Sequence, residues 1–147
     1  MTDLFKYYER ELKDFIDEAL VTKDTLLKRV VSIANETLIS DLREQGITLD
    51  GIWLHTMDNS AVRHTIRSHG SPKEVLRGQV PITHQDLMHI PQIISSYDCL
   101  FTQKNKRGQD VIVYRKSTEN CILFYIEEIR RGRHELASAT LYKREKG

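Results

Sequence analysis

Cysteine is scarce in this chain: Cys99 and Cys121 are the only two in 147 residues. Two are too few for a disulfide scaffold and lack the spacing of a metal knuckle, so free thiols buried in a reducing compartment are the expectation. Proline and glycine number only three and seven, which excludes collagen-like and low-complexity chains. Long apolar runs are missing as well. The longest uncharged stretch, residues 87–97, holds His89, Pro91, Gln92 and two serines, whereas a membrane helix needs about 20 mostly apolar residues. At the N-terminus Asp3, Lys6, Glu9 and Arg10 interrupt any apolar core, so no secretory leader is expected. HExxH and CxxC do not occur. With 39% hydrophobic and 29% charged residues, a globular domain with a sizeable core is the expectation.

The charge that is present is unevenly spread. Twenty-two basic and 21 acidic side chains give a net +1, but residues 1–50 carry 7 basic and 11 acidic groups, and residues 99–147 carry 11 and 6. The C-terminal third is the basic end, which suits a polyanionic partner.

Apolar positions fall at helical spacing over residues 3–20, where Leu4, Phe5, Tyr8, Leu12, Phe15, Ile16, Ala19 and Leu20 share a face. Thr22 or Asp24 can cap a second helix with a stripe from Leu26 through Val30, Val31 and Leu38 to Leu42, ended by Gly46. The expected result is an acidic helical hairpin over residues 1–46, a scaffold or adaptor for residues 47–147, the two together forming one compact unit. Residues 47–55 read as extended. Asp58 or Asn59 then caps a helix to about Ser68, closed by Gly70 and Pro72. Thr83 with Asp86 forms an approximate capping box, and Pro91 sits in the first turn of another short helix.

Residues 99–101, 110–116, 120–129 and 133–142 are rich in Val, Ile, Phe, Tyr and Thr and are joined by short polar turns. They predict a four-stranded antiparallel meander packed against the helices, an α+β fold. Strict alternation in the last strand places Ser138, Thr140 and Tyr142 on one face.

Six histidines offer proton-transfer chemistry near neutral pH. His64 and His69 lie about 140° apart on a continuous helix, and share a cleft only if the helix ends before His69. With His84 and His89 they also raise a zinc hydrolase as a third reading, against which the missing ligand motifs weigh. At the basic end Arg115, Lys116, Arg130, Arg131, Arg133, Lys143 and Arg144 are interleaved with Tyr114, Phe124, Tyr125 and Tyr142. Guanidinium groups grip phosphate and aromatic rings stack on unpaired bases, a combination suited to single-stranded RNA.

The order of Val62-Arg63-His64 to His69-Gly70, then Arg77 to Thr83, Asp86-Leu87, Ile90 to Ile94, Tyr114, Glu127 to Arg130 and Ala137 to Lys143 resembles the phage-associated branch of the barnase/EndoU/colicin/RelE-like nuclease superfamily. The resemblance spans about residues 50 to 145. It implies helices followed by a four-stranded sheet whose face carries the site, and cofactor-free, metal-independent RNA cleavage through a 2′,3′-cyclic phosphate. Carried onto this sequence, it makes His64 and His69 the acid and base, Ser138, Thr140 and Tyr142 donors, and Arg130 a phosphate clamp pointing toward the cleft. Arg115 and Lys143 are the further RNA-binding candidates. It also implies a toxin or a phage or mobile-element accessory domain acting in the cytoplasm, after delivery into a target cell or carriage by a phage particle. RNA such as tRNA is then the substrate, and an immunity or antitoxin protein the partner. The competing reading is a noncatalytic protein- or RNA-binding module.

Overall fold

The computed structural model describes residues 2–146, with side chains from Glu9 onward. Helix α1, Thr2–Val21, buries Leu12, Ile16 and Ala19 at helical spacing. The side chains of Leu4, Phe5 and Tyr8 lie outside the described residues.

The expected second helix does not form. Residues Lys28–Ile33 are strand β1, and helix α2 spans only Glu36–Glu44. Val30, Val31 and Ile33 are β-branched and lose side-chain freedom in a helix, whereas the pleated strand accommodates them. Asn35 then starts α2 afresh, its side chain accepting a hydrogen bond from the Leu38 amide at 2.8 Å. Buried Asn59 fixes the link between α1 and β1. Its amide donates to the carbonyls of Thr22 and Thr25 at 2.9 and 2.8 Å, and its oxygen accepts from the Leu27 amide at 3.0 Å.

Strand β2 is Leu54–Asp58, overlapping the expected extended segment 47–55 only at Leu54 and His55, and runs directly into α3, Asn59–His69. Asp58 caps α3 as expected, accepting from the Ala61 amide at 2.8 Å. A 3₁₀ turn at Pro72–Arg77 follows, then α4 at His84–Leu87 and α5 at Ile90–Ser96. The Thr83–Asp86 capping box is complete, and Pro91 occupies the first turn of α5.

The meander is present as β3 (Cys99–Lys104), β4 (Asp110–Ser117), β5 (Cys121–Arg130) and β6 (Glu135–Glu145). The α+β class holds, but the sheet is larger than four strands and is mixed. Its order is β1-β2-β6-β5-β4-β3, with β2 parallel to β6 and every other pair antiparallel.

One sheet face is covered by helices. Ile112, Tyr114, Leu123, Tyr125, Ile129, Leu136 and Leu141 pack there with Leu12, Ile16, Leu38, Leu42 and Ile93. The opposite face carries a smaller cluster of Val113, Ile122 and Phe124, with Ile126 and Tyr142 against it. Contrary to the expectation of buried thiols, Cys99 is exposed at the edge strand and Cys121 is partly exposed, and both are free. Among the described residues no helix is long and apolar enough to cross a membrane.

Candidate active site

Helix α3 continues through His69, so His64 and His69 lie about 140° apart and do not share a helical face, and the turn that follows folds back over His69. Gly70 makes this possible: a Cβ there would meet the Ile66 carbonyl oxygen at 2.5 Å and the Ile82 oxygen at 3.2 Å, while the Ile82 amide donates to the His69 carbonyl at 2.7 Å. Ser71 and Pro72 open the 3₁₀ turn, and Gly78, at φ 72°, closes it in the left-handed conformation. This turn delivers Glu74.

The Glu74 side chain is 1% exposed, with one oxygen 2.9 Å from His69 Nδ1 and the other 2.7 Å from an Arg77 nitrogen. Arg77 also donates to the Ser68 carbonyl at 3.0 Å, tying the turn to the end of α3. A carboxylate only accepts, so the proton between His69 and Glu74 sits on Nδ1, and Nε2 points away from the pair. His69 is therefore held in one orientation, with its ring 5.7 Å from that of Tyr142. The solvated helix-end histidine that α3 alone would present is replaced by one anchored to a buried carboxylate.

From Tyr142 a row of side chains crosses the less covered sheet face. Tyr142 stacks on Phe124 at 4.9 Å, its register partner on β5, and Phe124 is in turn opposite Arg115 on β4. Arg144 lies over the Phe124 ring at 5.1 Å. Burial pushes the Tyr142 hydroxyl pKa up, with Arg144 opposing the shift, so at neutral pH this group is a donor. His64, on the exposed side of α3, has its pKa lowered, first by burial and then by the charges of Arg67 and His69.

Three expected members of the site lie elsewhere. Ser138 faces the other way, because the β5–β6 register steps from Ile126↔Thr140 to Glu127↔Ser138 and leaves Ala139 as a bulge. Thr140 stays on the Tyr142 face, but its hydroxyl is buried without a hydrogen-bond partner. Lys143 points to the helix-covered side and is 2.7 Å from Asp86, both side chains nearly buried. Arg130 sits at the far end of β5, opposite Glu135 and bonded to Glu128 at 3.3 Å. Six residues of strand separate it from Phe124, about 20 Å.

A basic, aromatic sheet face beside an oriented histidine is an arrangement for handling phosphate esters. The family model described as phage-Barnase-EndoU-ColicinE5/D-RelE like nuclease3 matches residues 28–147. The chain belongs to this nuclease family. The match begins at the first residue of β1 and runs through the whole sheet, with α1 preceding it. Neither a curated protein nor a solved structure matches the chain.

A second histidine–carboxylate pair belongs to the core of the nuclease fold. His55 Nδ1 is 2.8 Å from Glu127, whose other oxygen accepts from the Tyr114 hydroxyl at 2.5 Å, and all three are fully buried on the helix-covered side. Burial, with the Glu127 charge adding to it, pushes the hydroxyl pKa of Tyr114 well up, and that of Tyr125 likewise. No substrate reaches these groups in this conformation, so their role is structural. A pocket of about 460 Å³ lined by Leu12, Val31, Met88 and Pro91, among others, lies between α1, β1 and α5 and includes no histidine. Among the described residues no three His, Cys, Asp or Glu side chains are grouped to hold a metal ion.

Glu74 and Arg77 are the site residues that sequence reasoning missed. Their spacing of three within a turn that opens Ser-Pro and closes on Gly78 is the signal that could have found them.

Proposed function

We propose that this domain is an RNA endonuclease that works without a metal ion, by attack of the 2′-hydroxyl on the adjacent phosphorus. The observation that carries the reading is the His69–Glu74–Arg77 arrangement beside Tyr142, because it holds an imidazole in one orientation with Nδ1 on a buried carboxylate and Nε2 free for proton transfer. His69 takes the 2′-hydroxyl proton, and Glu74 stabilises the imidazolium that forms. The leaving 5′-oxygen takes its proton from water or from His64, which lies on a different face of α3 from His69. The lowered pKa of His64 makes its protonated form the stronger acid and the scarcer one at neutral pH. The Tyr142 hydroxyl and the Arg115 guanidinium face the phosphorane oxygens, and Phe124 with Tyr142 offers a stacking surface once Arg144 swings aside. Products are a 2′,3′-cyclic phosphate and a 5′-hydroxyl.

RNA such as tRNA as substrate, action in the cytoplasm as a toxin or phage accessory, and a cognate immunity protein belong to the same proposal. The test is incubation of the purified domain with total RNA in EDTA. Fragments ending in cyclic phosphate support it, and intact RNA with folded protein opposes it.

A further inference from the structure

Where the β3–β4 and β5–β6 hairpins meet, Lys104, Arg107, Arg130, Arg131 and Arg133 line an open cleft of about 580 Å³ with only Asp110 and Glu128 as acidic lining residues. Each carboxylate holds two of the cations. Glu128 binds Arg107 at 2.9 Å and Arg130 at 3.3 Å; Asp110 binds Lys104 at 2.8 Å and Arg131 at 3.7 Å. Arg131 is further steadied by the Thr48 carbonyl at 3.2 Å. The shared carboxylates fix four long side chains without neutralising them, and the lining keeps an excess of three positive charges.

Position gives the cleft its meaning. Phe124, Ile126, Glu128 and Arg130 alternate along β5, so the cleft and the Tyr142–Phe124 row occupy two ends of one sheet face. About 20 Å separates them. A ligand lying along β5 touches both only if it carries negative charge at that spacing. Four of the five cations are arginines, whose planar fork suits phosphate oxygens.

We infer that this hairpin cleft is a second binding site for the phosphate backbone of a nucleic acid, engaging substrate about 20 Å from the residues that cut it. The cleft selects for long RNA over short RNA. It rests on the nuclease reading only for the link to cleavage, because backbone binding is measured separately.

The experiment compares wild type with the triple variant Arg130→Gln/Arg131→Gln/Arg133→Gln, in which Glu128 retains Arg107 and Asp110 retains Lys104. Binding of a 30-nucleotide RNA is measured across a salt series, and cleavage is followed on that RNA and on a dinucleotide. Three lost phosphate contacts predict a slope of log K against log salt shallower by about 2. The expected result is affinity for the long RNA down tenfold or more at moderate salt, with dinucleotide cleavage within twofold of wild type. Glu128→Gln, which removes a repelling charge, is expected to tighten long-RNA binding. Unchanged long-RNA affinity and slope in the triple variant overturn the inference, as does equal loss on both substrates. Cleft-dependent binding of polyglutamate with long-RNA affinity unaltered also overturns it, by assigning the cleft to an acidic protein. If wild type cuts neither RNA while the long-RNA binding loss is still seen, the cleavage reading fails and the cleft stands.

Discussion

His69 and Glu74 are five residues apart in the chain and 2.9 Å apart in space, imidazole Nδ1 against a carboxylate oxygen buried beneath the turn that follows α3. This contact turns a helix-end histidine into a group of fixed orientation. Glu74→Gln keeps the shape and removes the charge that stabilises an imidazolium. The expected effect is a fall in kcat of about 10²-fold or more with little change in KM, since a positioning group acts on the transition state. Steady-state kinetics on a short RNA check this. A change confined to KM or to thermal stability would reassign Glu74 to folding alone.

Lys143 serves the fold. It pairs with Asp86 at 2.7 Å, and the β6 backbone beside it accepts from the Val80 amide at 2.9 Å. Lys143→Ala is expected to cost about 1–3 kcal/mol of stability by leaving a nearly buried carboxylate short of a partner. Urea unfolding measures it, and turnover at saturating RNA should stay near wild type.

The buried His55–Glu127–Tyr114 set separates a structural histidine from a chemical one. His55→Ala is expected to destabilise by about 3–5 kcal/mol, since Glu127 would remain buried without that partner. Tyr114→Phe should cost about 1–3 kcal/mol for the lost hydrogen bond. Folded material of the Tyr114→Phe variant should cut RNA at the wild-type rate, and a large loss of rate there would contradict the structural role.

The lowered pKa of His64 links stability to pH. Burial makes folded His64 harder to protonate than the unfolded group, whose ordinary value is 6.5, so below that value the unfolded state binds more protons. Stability should therefore fall as pH drops through and below 6.5. The difference in Tm between wild type and His64→Gln, followed from pH 7.5 to 5, isolates this contribution. A difference that does not change with pH would show that the environment of His64 is not perturbed.

The strands of the meander were legible because each is a short run rich in Val, Ile, Phe, Tyr or Thr set off by polar turns such as that at Gly108. β1 was not. Leu26, Leu27, Val30, Val31 and Leu38 fit helical spacing as well as a strand edge, and the parallel pairing of β2 with β6 joins segments some eighty residues apart. The histidines and the row through Arg115, Phe124 and Tyr142 could be named from residue type. Ser138 could not be placed, since a single extra residue at Ala139 reverses its direction without disturbing the apolar pattern. Glu74 was hidden for a different reason: a glutamate in a polar turn looks solvated until Arg77 and His69 close over it. Arg130 lies at the hairpin end of β5, where the sequence places it, while the His69–Glu74 pair forms beside Tyr142 near the other end of that strand.

The measurement closest to the central claim is the cleavage rate of a defined RNA oligonucleotide in EDTA by wild type and by His69→Ala, with thermal melts of both. The account predicts wild-type cleavage leaving a 2′,3′-cyclic phosphate and a loss of about 10²-fold or more in the variant at similar Tm, the usual contribution of a positioned base. Cleavage at the wild-type rate by His69→Ala would contradict it.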